Sequence, residues 1–122
     1  MRDLDNPRAD SSTAISPGAR MLRLSTSHDS NQSWVEASGE LDMFTAPMLD
    51  EAINRLRQDG FGRAVILDLR HLTFMDCAGL SVLVRHHAGL HADGGRLLLL
   101  HPSRPVARLL TLTGMDSELH IR

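Results

Sequence analysis

The sequence has no lysine: all thirteen of its basic residues are arginine, scattered along 122 residues rather than gathered into a patch. With a formal net charge of −2, that leaves no electrostatic basis for a nucleic-acid partner. The single cysteine, Cys77, excludes an internal disulfide and suits a reducing cytoplasm. Long apolar runs are missing too. The longest, Leu97 to Leu100, falls far short of the roughly 20 residues a membrane helix needs, and the first eighteen residues lack the apolar block of a signal peptide. The chain is therefore expected to be soluble and cytoplasmic, without a membrane partner. There is no G-x-x-x-x-G-K-[ST] loop, and "ADGGR" from Ala92 reads as a turn before a strand, so nucleotide binding has no sequence support.

What is present suffices for one domain. Hydrophobic residues make up 42%, and a chain of this length buries roughly two-thirds of its unfolded surface. Residues 1–18, mixing Asp, Arg, Ser, Pro and Gly, read as a solvated tail, and residues 19–122 as the domain. "MLRLST" from Met21 and "WVEAS" from Trp34 alternate in part around the turn-like "HDSNQS", which predicts an antiparallel pair. Thr45, Pro47 and the spacing of Leu49, Ala52, Ile53 and Leu56 before Gly60 predict a helix over 46–59. "AVILDL" from Ala64 shows no polar alternation at its centre, as in a strand covered on both faces by helices, and "RLLLL" from Arg96 reads the same way. A helix opens near Asp76, another runs from Ser103 and Pro105 to Gly114, and "ELHI" offers a final edge strand. The alternation implies an α/β fold, a small mixed sheet with a parallel central part and flanking helices.

The chemistry concentrates at "FMDCAGL". Asp76 is a good N-cap type and puts Cys77, Ala78 and Gly79 in a first turn whose N–H groups lack intrahelical partners. In an α/β sheet the carboxyl end of a central strand feeding a helix N-terminus is also where sites form. A phosphoryl group there would meet the positive end of the helix while adding about −1.5 to −2 charge, enough to switch a docking surface.

"ASGELDMFTAPMLDEAI" from Ala37 together with "VILDLRHLTFMDCAGLSVL" from Val65 resembles the STAS domain of bacterial anti-sigma factor antagonists, over about residues 20 to 121. The resemblance implies a binding protein with no reaction and no cofactor of its own. Its partner would be an anti-sigma factor, often a serine kinase with a histidine-kinase-like ATPase fold, whose capture releases a sigma factor. In the family the kinase phosphorylates a serine after the Asp of a D-S-x-G-L pattern. Here that pattern reads Asp76, Cys77, Ala78, Gly79, Leu80, so the acceptor hydroxyl is missing. Ser81 and Thr73 do not occupy the acceptor position. The expectation is an antagonist that escapes phosphorylation; a redox role for Cys77, or a small inert residue fitted to the turn, remain alternatives.

On a helical wheel Leu80, Leu83, Val84 and Leu90 form the expected core stripe, with His87 and His91 near it. Ala78 and Val82 are expected to point away from it, beside Ser81 and Arg85, as a small apolar patch next to Cys77. By the resemblance, Asp42, Met43, Phe44 and Thr45 join this partner surface together with Asp76, although Asp42 could equally brace a loop. His87 and His91 stand four apart, as in many zinc sites, but without a third ligand pattern no metal is expected. A cysteine hydrolase would need His71 or His101 brought to Cys77, which spacing does not support. The other binding role in view is a STAS subunit of a stress-signalling or lipid-transport assembly.

Overall fold

The computed structural model describes residues 13–14, 21–61 and 63–122. The tail expected over residues 1–18 lies outside the described residues except at Thr13–Ala14. Those two form a short edge strand, β1. The predicted hairpin follows as β2 (Leu22–His28) and β3 (Ser33–Leu41). Its turn is fastened by Asp29, whose Oδ1 accepts the N–H groups of Asn31 (2.7 Å) and Gln32 (2.9 Å); these bonds hold the carboxyl below its ordinary range. Then come α1 (Ala46–Gln58), β4 (Ala64–Met75), α2 (Cys77–Ala92), β5 (Arg96–Leu100) and α3 (Arg104–Thr113). A 3₁₀ turn (Met115–Ser117) and β6 (His120–Ile121) complete the chain.

The strands line up in chain order, β1 to β6, in one sheet. β1–β2 and β2–β3 are antiparallel, and β3–β4, β4–β5 and β5–β6 are parallel. This is the α/β arrangement expected from the sequence: each parallel step needs a crossover, and α1, α2 and α3 supply them. One core joins sheet and helices. Val35, Val65, Leu67, Leu69, Leu97 and Leu99 pack with Leu49 and Ile53 of α1, Leu83 and Leu90 of α2, and Val106 and Leu110 of α3.

One strand, β4, differs from expectation in two respects. The central strand is expected to be covered on both faces by helices; Val65, Ile66 and Leu67 are all buried, but only one face contributes to the shared core cluster. Val65, Leu67 and Leu69 enter the core cluster, whereas Ile66 lies outside it, in register with Trp34 and Leu98. Trp34, on that opposite face, is 38% exposed. Apolar residues at the centre of both faces hid the period of two. β4 is also twice as long as "AVILDL": two irregularities in its pairing with β3 let it run on through Arg70 and His71 to Met75. That extension brings the end of β4 level with the end of β3.

Candidate functional site: two turns at the ends of adjacent strands

Leu41 and Met75 are the last residues of β3 and β4 and are paired in register. The chain leaves both strands at the same level, and the two turns are tied together where Asp76 N–H donates to Leu41 O at 3.1 Å.

In the first turn Asp42 is buried and one oxygen of its carboxylate bonds the residues that follow it. Oδ1 accepts the N–H groups of Phe44 (2.9 Å) and Thr45 (3.1 Å). Thr45 Oγ1 in turn accepts Asp42 N–H at 2.9 Å and donates to Glu40 O at 2.8 Å. In this pattern, an aspartate folding over its own following amides, Asp42 and Thr45 brace the turn and are 5% and 2% exposed. It also forces the two residues between them outward. Met43 is 65% and Phe44 70% exposed, large apolar side chains held in water by a rigid turn.

In the second turn Asp76 is extended and caps α2, with Oδ1 accepting from Ala78 N–H (2.9 Å) and Gly79 N–H (3.1 Å). Cys77 opens the helix and its thiol is exposed. Ser81 directs its hydroxyl to Cys77 O at 2.9 Å, so a backbone carbonyl already occupies it. Gly79 allows the close fit: a Cβ built there would stand 2.7 Å from Leu41 Cγ and 2.9 Å from Met75 Cγ. The first turn of α2 thus lies directly on the ends of both strands.

The outward patch predicted from Ala78 and Val82 needs correction. Val82 is 2% exposed and belongs to the core, and Ala78 is half-buried against it. The inward stripe of α2 is Gly79, Leu80, Val82, Leu83, His86 and Leu90, with Val84 only half-buried. With Leu80, Val82, Leu83 and Val84 nearly consecutive, the helical wheel gave no unique answer. The exposed surface at these turns therefore comprises Met43, Phe44, Cys77, Ser81 and Arg85, edged by Asp76.

His86 was missed, although it falls on the same stripe as Val82 and Leu83. Its imidazole is 3% exposed and joins α2 to α1. Nε2 lies 2.7 Å from Asp50 Oδ1, and Nδ1 lies 3.4 Å from Arg57 Nη1. A guanidinium only donates, so Nδ1 must accept, Nε2–H donates to Asp50, and the ring is neutral. Arg57 goes on to Asp93 at 2.7 Å and Arg85 reaches Asp50 at 3.3 Å. Burial pushes the His86 pKa down, against the upward pull of Asp50. Arg57 crosses α2 at Gly89, where a Cβ would come within 2.8 Å of its Nη1. His87 meets the ring of His120 edge-on at 5.3 Å, and His91 is exposed. No group of three potential ligands that could hold a metal ion occurs among the described residues. Nor is any helix among them long and apolar enough to cross a membrane.

Comparison with known proteins places this geometry. The family model described as "STAS domain" matches residues 23–122. An anti-sigma-B factor antagonist of Staphylococcus aureus (strain NCTC 8325 / PS 47) is 33% identical over 87 residues, which cover 71% of this chain and 80% of that protein. The anti-sigma-B factor antagonist of Staphylococcus epidermidis is 32% identical over the same extent. Among solved structures, an anti-sigma factor antagonist from Mycobacterium paratuberculosis superposes with a TM-score of 0.73 at 27% identity, covering 88% of this chain and 89% of its own. The unphosphorylated anti-sigma factor antagonist SpoIIAA gives 0.70 at 22% identity, covering 81% and 87%, a likeness of fold.

Proposed function

This chain belongs to the STAS domain family, and on that premise we propose that it is an anti-sigma factor antagonist whose docking face is the paired turns at Met43–Phe44 and Cys77. It binds an anti-sigma factor and so frees a sigma factor for transcription; the binding is the activity, and no catalytic step is assigned to the chain. The partner carries a histidine-kinase-like ATPase fold, and the encounter takes place in the cytoplasm.

The observation that supports this face most directly is the exposure of Met43 and Phe44 on a turn braced by Asp42 and Thr45. Large apolar side chains presented by a rigid support lose little freedom on being covered, which is what an interface anchor needs. Cys77 stands at the neighbouring helix entrance, where a phosphoryl group would add repulsive charge beside Asp76 and cover the face. A thiol is not an ordinary acceptor for a serine kinase, so the face stays open in the presence of kinase and ATP. Asp76 contributes by holding the entrance in place, its carboxylate already engaged with two amides.

Calorimetric titration of the full chain with its purified anti-sigma factor tests the assignment. Phe44→Glu is expected to weaken binding by at least about tenfold, or about 1.4 kcal/mol, with thermal unfolding unchanged because residue 44 is on the surface. Equal affinity of wild type and variant would remove this face from the interface.

A further inference from the structure

A run of polar contacts joins α1 to α2, and it converges on a residue that can gain a proton. Asp50 and Arg57 stand two turns apart on α1, while His86, Gly89 and Asp93 follow one another three and four apart on α2. His86 fills the space between the helices: it is 3% exposed, with Asp50 Oδ1 2.7 Å from Nε2 and Arg57 Nη1 3.4 Å from Nδ1. Arg57 then passes so close to Gly89 that a Cβ there would meet it, and ends on Asp93 at 2.7 Å. Arg85, on the same helix as His86, shares Asp50 Oδ1 at 3.3 Å. The charged groups facing the imidazole are therefore Asp50 and Arg57 from α1 and Arg85 from α2.

Protonation treats the two ring nitrogens differently. The Asp50 carboxylate takes a donor at Nε2 whether the ring is neutral or charged, so that bond survives. The guanidinium opposite Nδ1 can only donate. A proton on Nδ1 therefore sets two donors and two positive charges against each other, 3.4 Å apart, with no acceptor between them. His86 is enclosed, whereas the Arg57 side chain is 26% and its other partner, Asp93, 67% exposed, so Arg57 is the group free to move. We propose that His86 works as an acid-operated latch, in which a proton on Nδ1 releases Arg57 from its crossing at Gly89 and loosens the end of α1 from the end of α2. Gly89 has no side chain to fill the space the guanidinium leaves. The movement is confined, because Ala64 and Arg96, where the chain enters β4 and β5, stay paired; the loosened stretches are Leu56–Gln58 and Leu90–Asp93. Burial, and after it Arg57 and Arg85, oppose the proton against the pull of Asp50, which keeps the latch closed at neutral pH. It sits in the last turns of α1 and α2, whereas the Met43–Phe44 turn and Cys77 precede or open their first turns, so it stands whether or not the docking face does.

Nitrogen NMR of the full chain over a falling pH series tests this without any partner. At neutral pH His86 is expected as the Nε2–H tautomer. Below its midpoint, the amides of Leu56–Gln58 and Leu90–Asp93 are expected to exchange at least about threefold faster in the wild type than in His86→Gln at the same pH, since glutamine keeps one donor and one acceptor but gains no proton. Equal exchange in the two proteins would show that the proton enters without releasing Arg57, and would overturn the latch. Should His86→Gln fail to fold, Arg57→Gln carries the test: removing the guanidinium is expected to raise the His86 midpoint. An unchanged midpoint would show that Arg57 does not oppose the proton, and would overturn the proposal as well.

Discussion

On the proposed reading, sulfur at Cys77 takes the place of the hydroxyl oxygen a kinase would use, and its consequences are local. Cys77 is exposed at the first position of α2, and its neighbours Asp76 and Ser81 spend their polar groups on backbone atoms. Nothing around it offers a second acceptor hydroxyl at the same place. Incubation with kinase and ATP should leave the intact mass of the wild type unchanged, whereas Cys77→Ser should gain one phosphoryl group by mass spectrometry. His86 carries a different residue-scale prediction. Its pKa is lowered by burial, so the folded state binds a proton less readily than the unfolded chain. Its contribution to stability is therefore complete above the ordinary histidine value of 6.5 and is lost as pH falls through the lower folded value. Urea unfolding should show stability declining as pH falls from 6.5 towards the lower folded value, and His86→Gln should flatten the decline. An equal slope in the variant would assign the acid sensitivity to other groups.

At the scale of the element, α2 is set by a cap at one end and a close contact beneath it. Removing the cap in Asp76→Ala should cost about 1 kcal/mol of stability, measured by chemical unfolding. Gly79→Ala drives a methyl into Leu41 and Met75 and should cost about 1 to 3 kcal/mol while displacing the Cys77 turn. Both variants should bind the anti-sigma factor more weakly than their stability alone explains. Val82→Glu, which an outward reading of the helix would treat as a surface change, should instead unfold the domain, because Val82 is in the core. Element order, the limits of α1 and α3, and the placing of Asp76 at a helix entrance were legible because caps, proline, glycine and periodicity agreed there. The inward face of α2 was not, since four apolar residues crowd two turns and a histidine completes the stripe. Nor was the reach of β4, which depends on pairing irregularities with β3 that no local pattern announces.

For the whole molecule, the sheet fixes the site by bringing two parallel strands to an end side by side and turning the chain upward at both. The sequence motifs carried the family and the neighbourhood of the two turns. They did not separate the residues that build the face from those that show on it. Asp42 and Thr45 stand in the same motif as Met43 and Phe44, yet the first two lie inside and the last two in water, a distinction made by hydrogen bonds three residues long. The resulting claim is that an apolar face at the strand ends holds an anti-sigma factor and that no phosphoryl group closes it. The direct test is the affinity of the full chain for its purified anti-sigma factor after prior incubation with the kinase and ATP. Wild type is expected to bind as tightly after incubation as before, and Cys77→Ser to lose at least about tenfold in affinity. Loss of binding by the wild type under the same treatment would contradict it.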